Sequence, residues 1–397
     1  MPAKTQIFRF HQTHGNLIEF AGFSLPVWFQ GIIPECLAVR KCAGIFDVSH
    51  MGRLTISGDG SKDFLSYLTT NHVASLGLGD GQYSLLCNPK GGIKDDVTLF
   101  HTAPSRYLLV CNAGNREKDF RWLQENASKF NAKIEDASDR IAMFAVQGPG
   151  AASIIESITS ENISKVKRFG MVEAELAGKE CLISRTGYTG EDGFELYVKD
   201  ATPERPENAI AVWEAILQAR KGSGLVPCGL GARDVLRLEA GMCLYGNDID
   251  EDTSPLEARL DFVVKLDKPD FIGKASIEKV KKEGAKRLRA GFVLLERGIP
   301  RQGQEILSGG VKVGKVTSGT LSPTLGVGIG MAYIRSDLAE EGTEIQVRVR
   351  ERIVKARVVK LPFYQRRPEG RIIYMGREEA LQEALEKGLV RLEMPSP

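Results

Sequence analysis

The chain has 397 residues, with 53 Lys and Arg against 51 Asp and Glu and a formal net charge of +2. That balance provides no global field for nucleic acid, and no apolar run approaches the roughly 20 residues of a membrane span. The length allows two or three domains with a large buried core.

Seven cysteines without a C-x-x-C pair read as small apolar core residues in a reducing compartment. With no signal-peptide pattern after Met1, they predict a cytoplasmic protein. All five histidines fall between His11 and His101, against the common hydrolase order that puts histidine last. His11 and His14 are spaced i,i+3 without a third ligand and read as a surface pair.

In chain order, Phe8, Phe10, Phe20, Phe23 and Trp28 predict core packing near the N-terminus. A helix is expected over 33–42, with Pro34 tolerated in its first turn. A strand follows at 53–57 and a helix at 62–69. Residues 82–87 and 97–101 are strand-like, separated by Asn88-Pro89-Lys90-Gly91-Gly92-Ile93-Lys94-Asp95-Asp96. Asn-Pro and paired glycines make this a hairpin whose return strand begins with two carboxylates. A strand at 106–112, a helix at 115–130, a strand at 141–146 and a helix at 151–158 come next. Strands are then predicted at 172–176, 180–184 and 194–198, and helices at 206–220 and 232–240. This irregular mixture argues for an α+β fold. Lysine-rich residues 267–286 read as a linker or surface helix. Runs at 288–295, 311–318, 326–334, 344–349 and 353–361 predict a small all-β barrel or sandwich. Residues 378–389 read as a charged helix with Leu381, Leu385 and Leu389 on one face. Gly326-Val327-Gly328-Ile329-Gly330 lies in that β-rich part and lacks the βαβ context of a dinucleotide fingerprint.

Strand alternation turns Asp95 and Asp96 to opposite faces, so one points inward as a candidate acid/base or ligand for a cationic or N–H-rich group. Two turn-flanking aspartates are the plain alternative. Arg233 sits in the first turn of its helix, against the dipole, which suggests an external anionic partner. Arg237 lies on the same face and is within i,i+3 reach of Asp234. Glu195 shares a strand face with Gly193 and Tyr197, where a surface glutamate is the default. Its functional alternative is a carboxylate accepting two N–H bonds from an amidine-like ring edge. Tyr83 and Tyr188 could supply flat apolar walls beside such a ring.

From about Phe8 to Phe363, the sequence resembles the glycine cleavage system T-protein (aminomethyltransferase) family. The resemblance rests on six stretches in order: Phe46–Met51, Gly91–Asp96, Val146–Pro149, Thr186–Glu191, Gly231–Asp234 with Arg237–Gly241, and Thr317–Thr324. It implies a multidomain cloverleaf around a central folate site, with a C-terminal β-barrel. The implied domains are 1–270 (1–52 with 137–270, and 53–136), a barrel over 285–365, and a charged tail over 366–397. It further implies transfer of an aminomethyl carbon from the lipoyl arm of H-protein to tetrahydrofolate, with the P- and L-proteins as fellow members of the complex. By motif match Asp96 is the acidic residue near N5 of the folate, while Glu195 and Arg233 hold its ring system. Asn112, Met51, Tyr83 and Tyr188 fall where the family lines that pocket. Stand-alone folate-dependent demethylases and a folate-binding assembly factor for iron–sulfur proteins share the architecture. The flavin-linked relatives do not fit, because no N-terminal FAD-binding region is seen.

Overall fold

The computed structural model describes residues 1–219 and 224–366, with the backbone alone at 372–374. The helix expected at 378–389 lies outside those residues.

Three sheets organise the fold. The first has six strands in the spatial order Met171–Leu176, Lys179–Ser184, Gly193–Val198, Ala142–Gln147, Gly44–Asp47 and Val226–Cys228, all antiparallel neighbours except the last pair. Phe144, Val146, Phe194 and Leu196 point to one face and pack under Trp213 and Ile216 of the helix Glu207–Ala219. The opposite face carries Phe46, Met143, Ala145 and Tyr197, and its cluster takes in Ala232, Val235 and Leu236 of the helix Leu230–Glu239. Phe100, Leu108 and Val110 of the second sheet join the same cluster.

That second sheet has five antiparallel strands in the order Gly81–Cys87, Ile93–Ala103, Arg106–Cys111, Gly52–Ser57 and Lys133–Asp136. Its other face, with Leu54, Val97, Leu99 and Leu109, packs with Phe64 and Leu65 of the helix Ser61–Leu68 and Leu123 of the helix Arg116–Ala127. Side-chain alternation thus gives the first sheet the helix Glu207–Ala219 on one side, and the second sheet together with the helix Leu230–Glu239 on the other.

The third sheet is a closed barrel of Arg287–Leu294, Gly328–Arg335, Val311–Leu321, Glu305–Ser308, Glu344–Val349 and Arg352–Val359. Closure leaves no free edge. Leu238 packs against barrel residues Val293, Ile329 and Met331, so one helix touches both the first sheet and the barrel. The fold is α+β and multidomain, as the order of elements implied. Lys274–Glu283 is a helix with Ile277 as its buried residue, matching the surface-helix alternative for the lysine-rich stretch.

Several expectations need correction. Phe20 and Trp28 are 39% and 37% exposed, because the two-stranded ribbon Asn16–Phe20 and Phe23–Trp28 presents them outward. His11 is fully buried and hydrogen-bonds Asp47 at 2.7 Å, so it is no surface residue, although His14 is exposed. The return strand of the hairpin starts at Ile93, which places Asp95 and Asp96 inside the strand.

Candidate functional site

The hairpin turn is built by Asn88. Its Oδ1 accepts the N–H groups of Lys90 at 2.9 Å and Gly92 at 3.1 Å, and its Nδ2 donates to the Glu251 carbonyl at 2.9 Å. Gly91 takes a φ of +81°, the region glycine tolerates. At Gly92 the reason is space, since a Cβ there would stand 1.7 Å from the Glu251 carbonyl oxygen. The turn is therefore clamped to the 250–253 loop, which also receives the Ile93 N–H at 3.1 Å.

The strand that leaves this turn places Asp95 and Asp96 on opposite faces. Asp95 is fully buried, whereas Asp96 is half-buried at the junction of the sheets. Asp95 is turned away from solvent, because the helix Arg116–Ala127 covers its face. Asp96 Oδ2 accepts the Tyr83 hydroxyl at 3.0 Å, and Oδ1 accepts Asn112 Nδ2 at 2.8 Å. Burial, and then the charge of Asp95, push Asp96 up to about 7, against the lowering effect of those two hydrogen bonds. The Tyr83 phenol stays a donor, because burial and the neighbouring Asp96 charge raise it well above its ordinary value. The ring of Phe262, 61% exposed, stacks on Tyr83 with centroids 6.4 Å apart and planes at 17°.

Tyr188, Glu195 and Arg233 form a second group. Glu195 is only 9% exposed, in contrast to the surface default, because its face of the strand is covered by the second sheet and the helix Leu230–Glu239. Thr186 Oγ1 donates to its Oε2 at 2.5 Å. Burial raises Glu195, opposed by the Thr186 hydrogen bond and the Arg233 charge. The Arg233 guanidinium lies 4.7 Å from the Tyr188 ring centroid, a cation–π contact. No hydrogen bond or ion pair joins that guanidinium to another side chain among the described residues, so its donors remain available to a ligand. Its charge, after burial, helps drive His50 down to about 3 and keeps that imidazole neutral. Burial raises the Tyr188 phenol, with the Arg237 and Arg233 charges opposing and the Asp96 charge reinforcing, so this ring lies within electrostatic range of both groups.

Met51 is the outlier of the set. It packs on the apolar cluster between the sheets, and its carbonyl accepts from Arg53. Buried Arg53 also donates to Ser49 O at 2.8 Å and Ile141 O at 2.8 Å, so backbone carbonyls hold the Ser49–Met51 segment in place. No hydrogen bond or ring contact links Met51 to the other six residues among the described residues.

Long-range struts keep these groups in register. Glu239 accepts Arg40 Nη2 at 2.7 Å and Thr324 Oγ1 at 2.8 Å. Arg237 donates to Asp248 at 2.6 Å and to Ser318 Oγ at 2.8 Å, besides its predicted partner Asp234 at 2.7 Å. Gln147 accepts Thr189 Oγ1 at 2.9 Å and donates to Thr186 O at 3.0 Å, and a Cβ at Gly187 would meet it at 1.8 Å. The loop 186–193, punctuated by Gly187, Gly190 and Gly193, is thus threaded over Gln147, and the barrel segment Thr317–Thr324 is tied to the Arg233 helix. Phe262 and Thr186 were not singled out by sequence reasoning. Phe262 stands between Asp261 and the apolar pair Val263-Val264, a context that reads as buried and gives no signal of its exposure.

With this geometry, the fold and site match two domain families in chain order. The GCVT N-terminal domain matches residues 7–268, and the glycine cleavage T-protein C-terminal barrel domain matches 287–365. An aminomethyltransferase of Bacillus subtilis (strain 168) is 46% identical over 369 residues, spanning 92% of this chain and 100% of its own. One from Halothermothrix orenii is 47% identical over 361 residues, at 91% and 99% coverage. The crystal structure of glycine cleavage system aminomethyltransferase T from Bartonella henselae superposes with a TM-score of 0.85 at 32% identity, covering 94% of this chain and 100% of that one. The chain belongs to the glycine cleavage T-protein, or aminomethyltransferase, family, whose members are in general folate-dependent one-carbon transferases.

Proposed function

We propose that this chain moves the aminomethyl carbon carried on the lipoyl arm of H-protein to tetrahydrofolate, with ammonia and dihydrolipoyl H-protein as the other products. In that reaction the carbon's bonds to sulfur and to the amine break, and bonds to N5 and N10 of the folate form. The two folate N–H protons leave with the sulfur and the ammonia. The observation that carries this reading is Asp96, fixed by Tyr83 and Asn112 and raised to about 7.

Glu195 is suited to accept N–H groups of the pterin ring edge, and Arg233 to meet its oxygen or an anionic portion of the substrate. Tyr83, Phe262 and Tyr188 offer ring faces for flat apolar surface. The folate nitrogen is itself the nucleophile, so the protein's work is to position it, stabilise positive charge near N5 and move a proton. A carboxyl group titrating near neutral pH is matched to that last task. Met51 contributes apolar wall. The sheet memberships support a domain division at 1–52 with 137–270, 53–136, and 285–365. The P- and L-proteins would act on the same H-protein in the cytoplasm.

An assay with aminomethyl-loaded, lipoylated H-protein and tetrahydrofolate should yield ammonia and methylene-tetrahydrofolate in equal amounts. No product there, with methyl transfer from a small sulfonium donor instead, would replace this reading with a demethylase.

A further inference from the structure

Beneath Asp96 lies a second set of acids, closed off from solvent. Asp95 points under the helix Arg116–Ala127, where its oxygens accept the Asn112 backbone N–H at 2.9 Å, Asn112 Nδ2 at 2.8 Å and Asn115 Nδ2 at 2.6 Å. Asp119 comes down from that helix, fully buried, and neither of its carboxyl oxygens meets an N–H or hydroxyl donor. Asp95, Asp119 and the Cys111 thiol bring one atom each to within 4.8 Å of one another.

Among the described residues no cation hydrogen-bonds or ion-pairs with Asp95 or Asp119, although the charges of Lys118 and Lys94 act on Asp119 and oppose its rise. Lys94, on the strand of Asp95, lies over the Trp122 ring at 4.6 Å and 3.5 Å from Glu251. Lys118, on the helix of Asp119, donates to Lys94 O at 2.6 Å and to the Tyr245 hydroxyl at 2.9 Å. Behind Cys111, Arg53 is engaged with backbone carbonyls and Asp136 with Arg116 at 2.6 Å. Burial keeps the Cys111 thiol protonated. Two carboxyl groups this close in a dry core cannot both carry charge. The one with three N–H donors is the better anion, and the one with none is the better acid.

We propose that Asp119 is a buried carboxylic acid donating its proton to Asp95, and that this pair is the positioning element that fixes Asn112 and, through it, Asp96. The second half rests on the role given to Asp96 above; the first does not. Asn112 Nδ2 stands 2.8 Å from Asp95 Oδ1 and 2.8 Å from Asp96 Oδ1, so a single amide bridges the two carboxyl groups. Burial, followed by the charge and hydrogen bond of Asp95, holds Asp119 well above the ordinary carboxyl range.

The test compares Asp119→Asn and Asp119→Ala with wild type in the full chain. A carboxyl group raised in the folded state contributes stability below its unfolded value, and that contribution is lost as pH rises towards the folded value. Between about pH 5 and 9 the wild type should therefore lose up to about tenfold in its folding equilibrium per pH unit from this group, and Asp119→Asn should not. The difference in melting temperature, variant minus wild type, should climb steadily with pH. A difference that stays constant would overturn the proposal, and the measurement needs neither substrate nor Asp96. In turnover, Asp119→Ala should lower kcat at least about tenfold with KM for tetrahydrofolate nearly unchanged, and Asp119→Asn should recover most of that loss because its N–H donates in place of the acid. Equal losses in both variants would refute the positioning role. Failure of the role given to Asp96 would leave the pH slope of Asp119→Asn in place.

Discussion

Tyr83→Phe removes a single hydroxyl donor from Asp96 and keeps the ring that stacks with Phe262. A hydrogen bond to a charged acceptor is worth about 1.5–3 kcal/mol. At about 1.36 kcal/mol per pKa unit, its loss should raise Asp96 by about 1–2 units. The half-point near 7 then moves to about 8–9, because the variant loses the interaction that favours the carboxylate. At pH 7 the ionised fraction falls from about one half to about 1–10%, so kcat/KM should drop ~5–50-fold if the carboxylate is the active form. At pH 9 the deficit should close to about twofold or less. The assay is methylene-tetrahydrofolate formation between pH 6 and 9.5 with saturating loaded H-protein. A wild-type profile flat from pH 6 to 8, or a variant reduced by the same factor at every pH, would refute this reasoning.

Other predictions concern the supports. Arg233→Met keeps bulk beside Tyr188 but removes the free donors, and loss of a charge-assisted contact should weaken tetrahydrofolate binding ~10–150-fold by calorimetry. Glu239→Leu removes the 2.7 Å carboxylate partner of the buried Arg40 guanidinium, which keeps Glu191 at 3.0 Å, so the loss of a charge-assisted hydrogen bond should cost ~1.5–3 kcal/mol in denaturant unfolding. Gly92→Ala drives a methyl into the Glu251 carbonyl, so the hairpin must shift and kcat should fall at least about tenfold, since small misplacements at a reacting centre are costly. Unchanged turnover in that variant would show that the clamp on the 250–253 loop is dispensable.

Local patterns revealed much of the secondary structure. Pro34 and the apolar spacing placed the helix Ile32–Lys41 within a residue at each end, and alternation in the C-terminal segment located five of the six barrel strands. The strand Glu305–Ser308 was missed because four residues between polar turns carry little periodicity. Burial was harder to read than secondary structure. Glu195 reads as a surface residue by its neighbours in sequence, and becomes buried because a second sheet covers its face. His11 shows the same limit, with a partner 36 residues away at Asp47. Phe20 and Trp28 show the converse, apolar rings left outside on a ribbon. For the acidic pair, alternation predicted opposite faces but not which face was functional. The partners that distinguish them, Tyr83 for Asp96, and Asn115 and Asp119 for Asp95, depend on strand register and on a segment about 20 residues downstream.

The central claim is that Asp96 performs the acid–base step. Asp96→Asn preserves shape and removes the titrating group. Turnover with loaded H-protein should fall ~10²–10⁴-fold and lose its acid limb near pH 7, while tetrahydrofolate still binds within a few-fold of wild type. Near wild-type turnover with folate bound would contradict it.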